Sequence, residues 1–585
     1  MCRVTLLADP TARRQADPPP GGRLTAVWTA PVGAHLAVLS VVLVCLMGVV
    51  GTSASFSADE GAAIVQATSL SEGRGWFVEH PVPEVDPEGV NYPLELSEHG
   101  PKGWVPYGKH PFYALLLAGA HGLGGVPAMV LLSLTGTVVT AGLAGALARR
   151  LDPALVRPAI WVTGLSSPLL FDGYLVIAHT LGAALAAAAI LAAIVAIERR
   201  SLPWALAVLP ALVGCVLLRN EGLFMAVALA VVAAAVALRR RDGRAAATVV
   251  ALGALLAGGG AHLLDRLWTA RVVGGGAVVG SAAPAAGESL GLVEGRVQGL
   301  VVTWLTPSYG GRSLTGLALF TMLGAITVGA ATARRRPTEG RLIMGSAVVA
   351  GAAAVLALLA GPGNVVPGLL LAFPLLAVGL LLITRRMLRS TSALLAGGVP
   401  LLFALAVLAT QYAKGGGGEW GGRYFALAIP VVVPVILLAL REQQNRVAPH
   451  VARVAVAGLV VCSVALSTMG VAALRSSHRM NARLVAAADR AGRAVDAEMP
   501  VMVTTEGSMP RFAWSTFDRQ RWLLTEPDGL DDLFDRLRGA GVTEVGFVSR
   551  NLPRDQVRLD AAGTQVVSVD RSGARRWSVL ILRIS

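Results

Sequence analysis

The strongest constraint on this chain is a series of apolar runs, each about twenty residues long, separated by short charged connections. An α-helix of that length crosses a hydrocarbon core of about 30 Å. Hydrophobic residues make up 54% of the 585-residue sequence, charged residues make up 15%, and the mean hydropathy is +0.63. A soluble domain carries roughly 25% charged residues. The sequence therefore predicts an α-helical polytopic membrane protein.

About thirteen transmembrane helices are predicted. They lie at 28–52, 126–148, 156–172, 174–197, 202–218, 222–238, 245–265, 313–333, 341–360, 365–384, 391–412, 424–440 and 454–474. The first run is longer than the apolar region of an ordinary cleaved signal, so a retained helix is predicted. The stretch KHPFYALLLAGAHGLGG at 109–125 is too short and too rich in glycine to cross, and it is predicted to lie in the outer interface.

Arginine sets the predicted orientation. The short connections RRLDPALVR, ERRS, RRRDGR, RRRPTEGR, RRMLR and REQQNRVAPHVAR all fall on one side of the membrane. Because arginine is retained in cytoplasmic loops, the N-terminus is predicted to be cytoplasmic and the C-terminus external, in a plasma membrane. This placement also accounts for the net charge of +14 without nucleic acid as a partner.

Three parts of the chain are predicted. Residues 1–27 form a cytoplasmic tail, and 28–474 form a transmembrane domain with a large first outer loop at 53–125. Residues 475–585 form a small extracytoplasmic α/β domain. There, VMVTTEG, RWLL, EVGFVS and WSVLILRI have the composition of strands, while HRMNARLVAAADRAGRAVDAEM and GLDDLFDRLRGAG have helical periodicity.

The first outer loop begins with a candidate reactive group. The stretch SADE matches a capping box, in which Ser57 is the N-cap and Glu60 reaches back to the Ser57 amide. Asp59 is not needed for that motif, and the positive end of the helix dipole favours its ionised form. A carboxylate held at a helix start beside a lipid headgroup layer is suited to act as a base; an ordinary first-turn aspartate is the alternative.

Other features bear on the class of function. The predicted spans carry almost no ionisable residues at their centres, whereas ion-coupled transport usually requires them. The only lysines of the sequence, Lys102, Lys109 and Lys414, all fall in predicted outer loops. A divalent metal stays open, because Asp59, His80, His99 and His110 share one loop, although their spacing does not specify a site.

The order of several segments resembles the GT-C membrane glycosyltransferases. These segments are the N-terminal helix, the DE pair, YGKHPFYALLLAGAHGLGG, FDGYLVIAHTLGAAL, LLRNEGLF and GGRYFALAIPVVVPV. Within that superfamily, the protein O-mannosyltransferase, ArnT-like and RgtABCD-like branches are the most similar. The resemblance covers roughly residues 28–440 and implies a GT-C fold.

The resemblance also implies roles for individual residues. Asp59 matches the first-loop aspartate of the superfamily, a presumed base or metal ligand, and Asp172 falls where some members carry a second acid. Lys109 matches the lysine that contacts the lipid phosphate, with His110 interposed before the proline. Arg423 and Tyr424 match the late RY pair at the outer end of a span. Glu60 completes the set of candidate catalytic acids.

The chemistry that these residues permit is transfer of a sugar from a polyprenyl-phosphate-linked donor to an acceptor hydroxyl. The leaving group is a phosphate anion, so one base and several cations are sufficient. Arg219 of LLRNEG joins Lys109, His110, Arg423 and Tyr424 as a candidate phosphate-binding residue; a snorkelling arginine is the alternative. Glu419 and Trp420 are candidates for touching the sugar.

Single displacement of this kind predicts an inverting hexosyl- or pentosyltransferase that acts at the outer face of the membrane. A lipid, a glycan or a protein remains open as the acceptor. Two other functions also remain open. One is a flippase or transporter for polyprenyl-linked glycans, and the other is a non-catalytic membrane scaffold that displays the C-terminal domain.

Overall fold

The computed structural model describes residues 30–94, 98–100, 103–107, 110–272, 292–305, 313–361, 366–410, 419–574 and 577–584. Within these ranges, ten helices are long and apolar enough to cross a membrane. The structure confirms the predicted fold class, a multi-pass helical membrane protein with a small C-terminal α/β domain. The predicted roles of Lys109, and of the other two lysines, fall on residues outside the described ranges.

The helices of the membrane domain follow one another in chain order. They are α1 (Val32–Val50), α2 (Ala58–Ser71), α3 (Pro111–Leu151), α4 (Val156–Leu165), α5 (Leu169–Asp172), α6 (His179–Arg199), α7 (Leu202–Leu218), α8 (Glu221–Arg239), α9 (Arg244–Val272), α10 (Leu292–Trp304), α11 (Leu314–Arg335), α12 (Gly340–Ala360), α13 (Leu369–Ala372), α14 (Pro374–Leu382), α15 (Thr391–Thr410), α16 (Ile429–Gln444) and α17 (Pro449–Ala494).

Three of the thirteen predicted spans coincide with shorter apolar helices. The span 202–218 is the 17-residue helix α7. The span 156–172 is divided between α4 and α5, and the span 365–384 is divided between α13 and α14. Proline explains both divisions: Pro168 precedes α5 and Pro374 begins α14, and neither residue can donate a backbone hydrogen bond to the preceding turn.

The glycine-rich segment 109–125 forms the first part of α3. Helical geometry is interrupted at Gly124 and Gly125, and Gly125 adopts a φ of 64°, a left-handed conformation that favours glycine. Pro127 follows immediately. The segment Pro111–Leu123 is therefore separated by a kink from the remainder of α3, as the glycines predicted.

The arginine-rich connections meet at one end of the bundle. Arg441 forms an ion pair with Asp152, and Arg150 lies 3.4 Å from Glu198. Arg240 donates to the carbonyl of Arg389 in a further connection. These contacts agree with the prediction that the connections share one side of the membrane, and the assignment of that side to the cytoplasm remains a prediction.

The C-terminal domain is built on a five-stranded mixed sheet. Its strands are β3 (Val501–Thr504), β4 (Arg521–Leu524), β5 (Glu544–Ser549), β6 (Thr564–Ala574) and β7 (Trp577–Ile584), in the order β4-β3-β5-β7-β6. A two-stranded ribbon, β1 (Glu98–Gly100) with β2 (Gly103–Val105), precedes α3. The helices α18 (Met509–Phe512), α19 (Leu530–Gly539) and α20 (Leu552–Ala561) complete the domain. The predicted strands and the helix at 529–541 are confirmed, whereas β6 and α20 were not predicted.

The first outer loop and the C-terminal domain form one packed unit. Val82 and Val85 are buried in the core of the C-terminal domain with Phe534 and Phe547. At the edge of the sheet, Asn91 exchanges two hydrogen bonds with Leu524, at 2.9 and 3.0 Å. Because the loop supplies part of the domain's core, the loop and the domain hold each other in place above the bundle.

Candidate functional site

Asp59 lies in the first turn of α2, which begins with the predicted capping box. The Ser57 side chain accepts a hydrogen bond from the Glu60 amide at 3.4 Å, and the Glu60 carboxylate accepts one from the Ser57 amide at 2.7 Å. This reciprocal cap fixes the direction of the helix start. The Asp59 side chain takes no part in this cap and is 24% exposed.

Two arginines from distant parts of the sequence converge on Asp59. The Arg423 guanidinium lies 3.7 Å from Asp59 Oδ2, and the Arg511 guanidinium lies 3.4 Å from Asp59 Oδ1. Arg423 begins the 3₁₀ turn before α16, whereas Arg511 belongs to α18 of the C-terminal domain. The carboxylate therefore lies between one cation of the membrane domain and one cation of the C-terminal domain.

Gly61 permits the approach of the C-terminal domain to α2. A Cβ atom at position 61 would lie 1.7 Å from the carbonyl oxygen of Arg511, a distance at which the backbones could not coexist. Arg511 is buried there, and its Nε donates to the carbonyl of Gly507 at 3.2 Å. The contact between α2 and α18, and with it the position of the Arg511 side chain, therefore depends on a glycine.

Glu60 is buried and connects the start of α2 to the segment between α5 and α6. Its second carboxylate oxygen accepts a hydrogen bond from the Val176 amide at 2.9 Å, in the connection between α5 and α6. Both oxygens thus accept backbone hydrogens, and the side chain is 1% exposed. Burial raises the pKa of Glu60 to about 7, although the two backbone hydrogen bonds act in the opposite direction.

The raised pKa of Glu60 makes the stability of this connection dependent on pH. Between pH 4.5 and 7 the Glu60 carboxyl keeps its proton in the folded chain but loses it in the unfolded chain. The free energy of unfolding therefore falls by about 3 kcal/mol as the pH rises through this range.

The variant Glu60→Gln offers one oxygen to two amides and is expected to be less stable than the parent. We expect its melting temperature, measured in detergent, to differ from that of the parent most at pH 5 and least at pH 8.

Glu72→Gln is the matched control for this comparison, because Glu72 lies at the exposed end of the same helix. Its melting temperature should differ from that of the parent by the same small amount at both pH values. If the difference in melting temperature between Glu60→Gln and the parent does not change with pH, the assignment of a raised pKa to Glu60 is wrong.

Asp172, His179 and Glu419 form a buried cluster beside Arg423. They come from the end of α5, the start of α6 and the segment before Arg423, and each is at most 3% exposed. His179 Nδ1 lies 3.4 Å from Asp172 Oδ1 and 3.6 Å from Glu419 Oε2. Glu419 Oε1 accepts a hydrogen bond of 2.9 Å from Arg423, which connects the cluster to Asp59.

Arg219 lies close to the same cluster but has a partner of its own. Its guanidinium is 2.6 Å from the carboxylate of Glu221, and both side chains are nearly buried. Gly182 makes room for it, since a Cβ there would lie 3.0 Å from Arg219 Cγ. The charge of Arg219 acts on Asp172 and His179, so this arginine contributes to the electrostatics of the cluster.

Aromatic and imidazole groups complete the surroundings. The Arg423 guanidinium lies over the ring of Tyr424, at 5.1 Å from its centroid. Tyr107 is buried beside His110, with ring centroids 6.5 Å apart. Burial raises the pKa of Tyr107, so its phenol is protonated and available as a hydrogen-bond donor at neutral pH. Trp420 is buried and stacked on Phe171, and so it is not open to a sugar.

The structure brings most of the predicted site residues into one region. Asp59, Asp172 and Arg423 are connected through direct or shared partners, and Arg219 lies near them without sharing a partner. Lys109 lies outside the described residues. His80 lies elsewhere in the loop, 3.0 Å from Asp86, which it contacts instead of Asp59. Arg511, Glu221 and His179 were not selected for this site from the sequence.

A second concave region lies along the other half of α2. A cavity of about 860 Å³ separates this helix from the C-terminal domain. Val65 of α2 lines this cavity. It lies six residues beyond Asp59, which corresponds to about 9 Å along the helix. The half-exposed rings of Phe77, Trp514 and Phe517 face it together with polar side chains.

Comparison with known proteins finds similarity only in structure. No protein-family model matches the chain, and no curated protein matches it. ArnT from Cupriavidus metallidurans in the apo state is similar with a TM-score of 0.51 and 14% identity, over 96% of this chain and 98% of that chain. The same protein bound to undecaprenyl phosphate gives a TM-score of 0.48, with 14% identity over 95% and 99% of the two chains.

An archaeal oligosaccharyltransferase is also similar. AglB from Archaeoglobus fulgidus, in complex with an inhibitory peptide and a dolichol-phosphate, has a TM-score of 0.46 and 13% identity, over 88% of this chain and 69% of that chain. The likeness to apo ArnT extends over nearly all of both chains and confirms the GT-C fold that the sequence motifs predicted. At 14% identity the likeness shows the fold, and the activity has to be argued from the site.

Proposed function

We propose that this protein is an inverting glycosyltransferase that moves a sugar from a polyprenyl-phosphate-linked donor to an acceptor hydroxyl. The observation that carries the proposal is the position of Asp59, a partly exposed carboxylate between two guanidinium groups at 3.4 and 3.7 Å. A carboxylate accepts a proton and a guanidinium holds a phosphate, so the two chemical requirements of this transfer are met side by side.

The proposed reaction is a single displacement at the anomeric carbon. The acceptor oxygen attacks that carbon while its proton passes to Asp59, and the bond from the carbon to the donor phosphate oxygen breaks. The polyprenyl phosphate leaves with the bonding electron pair and is stabilised by Arg423 and Arg511. Because the acceptor enters opposite the leaving phosphate, the configuration at the anomeric carbon inverts.

The remaining site residues have supporting roles in this proposal. Lys109, which lies outside the described residues, and His110 would hold the donor phosphate. Tyr424 supports Arg423, whose guanidinium lies over the tyrosine ring. Glu60 fixes the helix that carries Asp59 to the connection after α5. Asp172 and Arg219 act on the donor side through the buried cluster rather than as the base.

The proposed location of the reaction is the outer face of the plasma membrane. Asp59 lies nine residues after Val50, the end of α1, and the C-terminal domain packs over α2 at the same end of the bundle. The arginine-rich connections lie at the other end and favour a cytoplasmic assignment there. A donor in the outer leaflet would therefore present its phosphate near α2.

The experiment is a donor screen with purified full-length protein in lipid nanodiscs. Polyprenyl phosphates that carry different hexoses and pentoses are offered together with lipid, glycan and peptide acceptors. We expect one donor to be consumed, with release of polyprenyl phosphate and an inverted anomeric centre in the product. If the protein, in liposomes, moves an intact polyprenyl-linked sugar between leaflets and cleaves none, it is a flippase and the proposal is wrong.

A further inference from the structure

The cluster of Asp172, His179 and Glu419 has an arrangement that hydrogen bonding within the protein does not account for. Asp172 Oδ1, Glu419 Oε2 and both ring nitrogens of His179 have no hydrogen-bond partner among the described residues, although all three side chains are buried. A buried polar group without a partner costs about 1–3 kcal/mol, and more when it is charged. Several such atoms facing one another indicate a missing partner.

The spacing of these atoms fits a metal ion. One ligand atom from each residue lies within 4.8 Å of the other two, and the two distances from His179 Nδ1 are 3.4 and 3.6 Å. Four ligands placed tetrahedrally at about 2.1 Å from an ion are about 3.4 Å apart. The two distances from His179 Nδ1 therefore match the separation of ligands around one ion, and the three residues are held by three different parts of the chain.

The charges of the neighbouring groups are compatible with a cation in the cluster. Glu221 neutralises Arg219, while Arg423 is shared between Glu419 and Asp59. Asp172 has no arginine of its own within ion-pair distance in the described part of the chain. Two buried carboxylates so close together are strongly unfavourable unless a proton or a metal ion lies between them.

We propose that Asp172, His179 and Glu419 bind a divalent transition-metal ion, with zinc or manganese as the class of ion that their nitrogen and oxygen donors suit. An all-oxygen set would favour magnesium or calcium instead. Three protein ligands leave a fourth position open, as in metal sites that take a water or a substrate oxygen. Asp59 is not among the ligands, so the ion and the base are separate groups.

The ion also acts on Arg423 through one of its ligands. Glu419 binds the ion through Oε2 and accepts the hydrogen bond of Arg423 through Oε1, at 2.9 Å. Partners of this kind orient both the ligand and the group that contacts it. Binding of the ion does not depend on the proposed function, whereas its role beside the donor phosphate does rest on it.

The test measures metal binding by the full-length protein in nanodiscs after treatment with a chelator. Zn²⁺ and Mn²⁺ are titrated separately against a competing indicator, and bound metal is counted by mass spectrometry. We expect about one equivalent of one of these ions per chain. The variants Asp172→Asn, His179→Gln and Glu419→Gln should each weaken binding at least tenfold, while His450→Gln, at an exposed position, should bind as the parent does.

Thermal unfolding separates loss of the site from loss of the fold. Saturating metal should raise the melting temperature of the parent and of His450→Gln and leave that of folded His179→Gln unchanged. Less than 0.1 equivalent bound by the parent, or equal affinity in the parent and the ligand variants, would overturn the metal site. Metal binding without any sugar transfer would instead overturn the proposed function and leave the metal site standing.

Discussion

Replacing Asp59 by asparagine is expected to lower sugar transfer by about 10²- to 10⁴-fold, the contribution typical of a positioned general base. Asparagine has the same shape and still accepts hydrogen bonds, but it cannot take the proton of the acceptor hydroxyl. The fold should persist, because both arginines keep other partners. Arg423 retains Glu419 at 2.9 Å, and Arg511 retains the carbonyl of Gly507 at 3.2 Å. The measurement is the rate of release of polyprenyl phosphate at saturating donor.

The control for this variant is Glu72→Gln, an acid-to-amide change at the other end of α2 that should keep the parent's rate. Binding of the donor gives a second measurement. Removal of one negative charge beside Arg423 and Arg511 should leave donor affinity unchanged or increase it, since the phosphate no longer competes with a carboxylate. Parental transfer by Asp59→Asn would show that Asp59 is not the base.

Local signals made much of the fold predictable. Apolar runs of membrane length located the helices, and strand-like segments such as EVGFVS were confirmed as β5. The capping box at Ser57 was predictable because it depends on four consecutive residues. Helix breaks were harder to place, since Pro168 and Pro374 interrupt apolar runs whose composition is otherwise that of a span.

The site was predictable only where its residues stood beside a recognisable motif. Asp59 and Arg423 were found separately, and the structure places them 3.7 Å apart. Arg511 could not be found, because a helix of four residues in the C-terminal domain carries no signal that it will contact a loop of the membrane domain. His179 was equally hidden: a histidine at a helix start has many roles, and its carboxylate neighbours come from distant parts of the chain.

The approach of the C-terminal domain to α2 leads to the second large effect. In Gly61→Ala the new methyl group would meet the carbonyl oxygen of Arg511 at 1.7 Å, and no side chain can move to relieve that contact. We expect α18 to shift away from α2 and to carry the Arg511 guanidinium out of reach of Asp59. Transfer should fall by about 10²-fold, a loss of the size that a 1 Å displacement of a positioned group can cause.

Gly119→Ala is the matched control, because a Cβ at position 119 of α3 meets no atom within 4 Å. It should retain both the rate and the melting temperature of the parent. Arg511→Ala identifies the cause: if Gly61→Ala acts by moving this arginine, the double variant should transfer no more slowly than the slower of the two single variants. Additive losses would mean that Gly61→Ala acts on α2 itself and not by moving Arg511, and the proposed cause of the loss would be wrong.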